Sequence, residues 1–173
     1  MNGISVNFLV LLLNGIPQAL LTVLAVHLFT GTKIAAKQYL LLSAIFAAAT
    51  YLIRFLPIAI GVNTVLSLFV IIFEFQFAYR TQLSKLIHTI ASATGTFILI
   101  ALSEVLNMLL LSAIFGQNNA SAFLNSSNGL IQGFSTIPIN LFFGIFIVIV
   151  YQILKQFEKR TDQNGKTGTE TGR

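Results

Sequence analysis

Apolar residues run through this chain in five long stretches, at about 4–29, 38–56, 62–79, 86–115 and 137–154, with short polar breaks between them. A helix that crosses a bilayer needs about 20 mostly apolar residues, so each stretch predicts one spanning helix. The helices are apolar all round, and this hides which face of each one turns inward. Pro57 and Gly61, with Asn63 just beyond, predict a tight hairpin between the second and third helices. The fourth stretch exceeds what a bilayer needs and is expected to tilt or to project.

The segment 116–136 has a different pattern. It holds Gln117, Asn118, Asn119, Ser121, Asn125 and Gln132 without a single charge, interspersed with Phe123, Leu124, Leu130, Ile131 and Phe134. Too polar to span, it is expected to lie in the interface or dip partly into the bundle. The last segment, 161–173, is polar and rich in Gly and Thr, and reads as a disordered tail behind a transmembrane domain of residues 1–160.

Charge then orients the helices. Lys33 and Lys37 fall in the first break, Arg80 and Lys85 in the third, and Lys155, Lys159, Arg160, Lys166 and Arg173 after the fifth helix. Nine of the ten basic residues thus alternate with a five-helix count, Arg54 being the exception. By the positive-inside rule the N-terminus is expected outside and the C-terminus in the cytoplasm. The first stretch has no positive charge ahead of it, since the first basic residue is Lys33, so it reads as a retained anchor.

Composition supports the same class. Of the 173 residues 55% are hydrophobic and 9% are charged, against about 25% charged in soluble domains. The net charge of +5 is scattered between apolar runs, which speaks against a nucleic-acid face. Cysteine is absent and only two histidines occur, so no metal site and no cofactor are expected. HExxH, GxSxG and P-loop patterns are all missing. A protease dyad is unsupported, because the first aspartate is Asp162. The chain is expected not to be an enzyme.

Charges inside a bilayer are expensive and single themselves out. Arg54 and Glu104 both fall towards the outer ends of their helices, where they are expected to pair or to sense a ligand. Glu74 falls near an inner end, within reach of Lys85, His88 or Arg80. Each pair also has a plain structural use in fixing helix register. On the first helix Asn7, Asn14, Gln18 and Thr22 share a face, and Asn14-Gly15-Ile16-Pro17 invites a kink. Such amides bind neighbouring helices or line a wet cavity. His27 and His88 read as interfacial or hydrogen-bonded core histidines.

The stretch Tyr51-Leu52-Ile53-Arg54-Phe55-Leu56-Pro57, with Gly61 and later Glu104, resembles the membrane-embedded sensor half of histidine kinases of the accessory-gene-regulator type. The likeness runs over the five helices and is strongest at 37–107. It implies a helical input domain that receives an outside signal, often a peptide, and passes it to a kinase. Here the sequence after Lys155 carries no phosphoacceptor helix and no ATP-binding boxes. The expectation is therefore a multi-pass signal-input or interaction protein of the cell membrane, acting through a separate kinase or other signalling partner. The alternative is a small-solute transporter subunit, such as the substrate-binding component of an energy-coupling-factor transporter.

Overall fold

The computed structural model describes residues 8–54, 56, 60–79 and 83–167. The described residues are all-helical, and five helices are long and apolar enough to cross a membrane, as in a multi-pass membrane protein. They are α1 (Phe8–Thr30), α2 (Ala36–Arg54), α3 (Ile60–Tyr79), α4 (Leu83–Phe115) and, after the short α5 (Gln117–Leu124), α6 (Gly129–Thr167).

Local chemistry sets the ends. Gly31 closes α1 in the left-handed conformation at φ 64°, with its N–H on the carbonyls of His27 and Leu28. A side chain is disfavoured there, which makes glycine the natural stop. Gly116, at φ 83° and ψ 153°, breaks α4 from α5 with a different positive-φ conformation that also favours glycine. Residues 4–7 of the expected first span lie outside the described residues.

One feature adds to the sequence expectation and one departs from it. The uncharged segment 116–136 is helical: it forms α5 and the first turns of α6. Ala120 of α5 is fully buried, in a helix that packs on both α4 and α6. The amides Asn119, Asn125 and Gln132 donate to the carbonyls of Phe115, Ser121 and Leu124, so polar side chains complete the exposed ends of the backbone ladder. At the other end α6 does not stop near Leu154 but continues as helix to Thr167, into the segment expected to be a disordered tail. Gln156, Glu158, Lys159 and Arg160 are good helix formers, and an existing helix extends more easily than a new one starts. Residues 168–173 lie outside the described residues.

The helix α1 is the centre of the bundle. It packs against α2, α4 and α6 and is the most buried of the five spans. Around it, α3 packs on α2 and α4, and α4 packs on α6. Ala19 and Ala25 of α1 are almost completely buried, so neighbours approach its backbone closely. One core joins Val23 and Val26 to Phe46, Ile71 and Phe75, and a second joins Ala25 to Ile100, Phe143 and Ile147.

Along α6, one glycine is pressed against α1 and another stands in open space. A Cβ added at Gly133 would sit 2.7 Å from Leu13 Cδ1 and 3.5 Å from its Cβ, whereas one at Gly144 would meet nothing within 4 Å. Gly133→Val is therefore expected to destabilise the fold by about 1–3 kcal/mol through overpacking. Gly144→Val should stay within about 0.5 kcal/mol. Unfolding in mixed micelles measures both, and equal effects would show that this crossing is not where the helices meet.

Candidate functional site

Polar side chains inside the bundle gather in three places. For orientation, α1 begins and α2 ends at the Arg54 end, and α1 ends and α2 begins at the Lys33 end.

The first place is a widened turn in α1. Pro17 has no N–H to give, and its ring crowds the carbonyl four residues back. The helix answers with a π turn over Leu11–Gly15, closed by the Ile16 N–H on the Leu11 carbonyl. Asn14 lies in this turn, buried. Asn140 of α6 donates its Nδ2 to Asn14 Oδ1 at 2.9 Å and, at 3.4 Å, to the Asn14 carbonyl. One amide thus holds both the side chain and the backbone of the irregular turn. Asn107 of α4, 1% exposed, donates to the Ser135 carbonyl at 3.0 Å and ties α4 to α6. The Oδ1 atoms of Asn107 and Asn140 are buried without a partner among the described residues. The remainder of the expected α1 stripe behaves as glue within its own helix. Thr22 donates to the Gln18 carbonyl at 2.7 Å, and Gln18 is half-buried. Asn7 lies outside the described residues.

The second place, towards the Lys33 end, centres on His27, which is fully buried. Its Nδ1 is 2.8 Å from the Val23 carbonyl, which only accepts, so Nδ1 carries the hydrogen. Nε2 then accepts from the Tyr79 hydroxyl at 2.7 Å. Phe75, Tyr79 and Tyr39 stand edge-on to the imidazole at 4.6, 5.6 and 6.2 Å. Tyr39 donates to the Leu20 carbonyl at 3.0 Å. The cluster locks α1, α2 and α3 together, the hydrogen-bonded core role expected of His27. His88 is on the exposed surface instead.

The third place holds the charges. Glu74 of α3 has both carboxyl oxygens buried with no hydrogen-bond partner among the described residues. The pairing expected with Lys85 or His88 is not formed. Both of those are exposed, and Thr89, Ser92 and Ala93 occupy the buried positions of α4 nearby. An ammonium group keeps its hydration by staying at the surface, which a buried pair would forfeit. Arg80 lies outside the described residues. Arg54, half-buried at the end of α2, and Glu104, exposed on α4, do come to one end of the bundle. Their charges act on one another, yet they make no ion pair within 4.0 Å.

Asn140, Asn107 and Tyr79 were not singled out by sequence. A lone amide inside an apolar span is the signal that marks Asn107 and Asn140. Nothing local marks Tyr79, whose partner is 52 residues away. Among the described residues no group of three or more His, Asp or Glu is placed to hold a metal. No family model, curated protein or solved structure matches this chain.

Proposed function

We propose that this chain is a signal-input or interaction protein of the cell membrane that changes the state of a separate partner and does not turn over a substrate. The observation that carries this reading is the π turn of α1 held by Asn140. A π turn is one residue out of register with an α-helix, and such turns recur at functional sites. Relaxing it to an α turn rotates one part of α1 against the other by about 100°. The Asn14–Asn140 contact discriminates between the two arrangements, as a two-state element requires. Because α6 is one helix of 39 residues, a change at Asn140 is passed along a rigid rod to Lys155 and beyond.

In this reading the Arg54 end faces outward and receives the input, and the Lys33 end faces the cytoplasm. A cysteine replacing Ser126 is expected to react with a membrane-impermeant thiol reagent on intact cells, and one replacing Gly168 is not. Labelling at Gly168 alone or at both sites defeats this orientation. Function is tested by gentle co-purification from native membranes. Recovery of a kinase or another signalling protein supports the input role. Recovery of a transporter ATPase pair, with uptake of a small solute lost on deletion, overturns it in favour of a transporter subunit.

A further inference from the structure

The interior of the bundle is short of donors. Among the described residues six buried side-chain atoms have no hydrogen-bond partner, and all six are oxygens: Ser43 Oγ, Asn63 Oδ1, Asn107 Oδ1, Asn140 Oδ1 and both carboxyl oxygens of Glu74. The ammonium groups that could balance them stay outside, since Lys33, Lys37, Lys85 and Lys155 are all exposed. Such an interior is matched by whatever brings hydrogen or positive charge to it.

The demand is sharpest at Glu74, because its group can also ionise. One turn away along α3, Val70, Ile71 and Ala78 pack into the apolar core, so the carboxyl group borders hydrocarbon. On its other flank Phe73 and Phe77 are 70% and 89% exposed, turned to the lipid. The titratable groups of the surrounding helices are engaged elsewhere. His27 and Tyr79 bond to one another, and Tyr39 bonds to the Leu20 carbonyl. Lys37 on α2 and Lys85, His88 and Glu104 on α4 are exposed. Tyr51 and Arg54 belong to the last turn of α2, at the opposite end of the bundle. Arg80 lies outside the described residues.

An ionised carboxylate left in this place without donors is far costlier than a neutral one. A hydrogen on the carboxyl group removes the charge and supplies a donor of its own. A metal ion such as calcium or magnesium takes about six or more oxygens, and among the described residues no group of three or more His, Asp or Glu is placed to hold one. A proton needs only one oxygen. We infer that Glu74 is a proton-binding site of the membrane interior, and that its proton decides how firmly α3 packs. The proton has a short way to come, because Glu74 is five residues from the end of α3 at Tyr79, about 7.5 Å. Its loss puts a bare charge beside the core that joins Ile71 and Phe75 to Val23, Val26 and Phe46, and loosens that contact. The site does not depend on the input reading above.

The test uses the purified full-length protein in mixed micelles and two carbodiimides. A carbodiimide reacts with the protonated carboxyl group. The O–H adds across one C=N bond, oxygen to carbon and hydrogen to nitrogen, and the acyl group then shifts from oxygen to nitrogen, so the whole reagent stays on the protein. At about pH 7 a free glutamate, with its pKa of about 4.3, is ionised. There the apolar dicyclohexylcarbodiimide is expected to add once, on Glu74, as located by mass spectrometry of the peptides. A water-soluble carbodiimide is expected to leave Glu74 unmodified. The labelling rate should fall about tenfold per pH unit once the proton is lost, and return when the pH is restored. No adduct on Glu74, or equal modification by both reagents, overturns the buried site. Protection by sodium or calcium ions at constant pH overturns the proton in favour of a metal cation. Packing is read by amide exchange of α3, corrected for the intrinsic effect of pH. Raising the pH through the range in which labelling disappears should speed exchange at residues 71–78 by about tenfold or more in the parent protein. Glu74→Gln, which stays neutral, should not respond. Equal behaviour of the two proteins overturns the link between the proton and the packing.

Discussion

Replacing His27 by alanine is expected to lower stability by about 3–5 kcal/mol, among the largest losses available to a single side chain here. The imidazole is fully buried against Phe75, Tyr79 and Tyr39. Truncation opens a cavity in the contact of α1, α2 and α3. It also leaves the Tyr79 hydroxyl, which donates to Nε2, without its acceptor. The two effects separate by substitution. His27→Phe keeps a ring in place and should lose only about 1–3 kcal/mol, the penalty of an unsatisfied buried hydroxyl. Tyr79→Phe should lose a similar amount by stranding Nε2. The double variant, His27→Phe with Tyr79→Phe, removes both polar atoms and should lose clearly less than the sum. Unfolding followed by circular dichroism in mixed micelles gives the four values. Strict additivity would show that the 2.7 Å contact contributes nothing.

Removing Glu74 is expected to do the opposite. Its two carboxyl oxygens are buried without a donor or cation among the described residues, an arrangement that burdens the folded state. Glu74→Leu, close in volume and apolar, should therefore raise stability by about 1–4 kcal/mol. Glu74→Gln should gain less, because an amide still needs hydrogen bonds in that place. A side chain kept at the expense of stability points to use in function, so the stabilised Glu74→Leu protein is the variant to test for loss of partner response. If Glu74→Leu melts earlier than the parent protein, the carboxyl group has a partner in the membrane and the burden is imaginary.

These two residues, one on α1 and one on α3, bracket how the bundle divides its labour. The Lys33 end is locked by an aromatic, fully hydrogen-bonded cluster. The Arg54 end holds the irregular turn of α1 and the open charge pair. Local stability is expected to follow: amide exchange should be slowest around Val23–His27 and faster at Leu11–Gly15, where the helix ladder is widened.

Much of the architecture was legible in the chain. Five apolar stretches became five helices, because a segment in lipid must satisfy its own backbone and length alone then marks a span. Asn14-Gly15-Ile16-Pro17 announced an interruption of α1, since proline removes a donor wherever it stands, and the π turn at Leu11–Gly15 is that interruption. What a count along each helix leaves open is azimuth, and helices apolar on every side do not disclose it. Azimuth put Lys85 and His88 on the surface, away from Glu74. It turned Asn140 onto Asn14 across 126 residues of chain and His27 onto Tyr79 across 52. The structure also leaves Arg54 and Glu104 without an ion pair within 4.0 Å. The helicity of the uncharged segment was likewise settled by tertiary contact: Ala120 is buried in a helix seated on α4 and α6. Sequence determined the spans and their interruption, because those follow from backbone chemistry within one helix. Only the tertiary structure decided which polar groups meet, because that depends on how each helix is rotated about its axis against its neighbours.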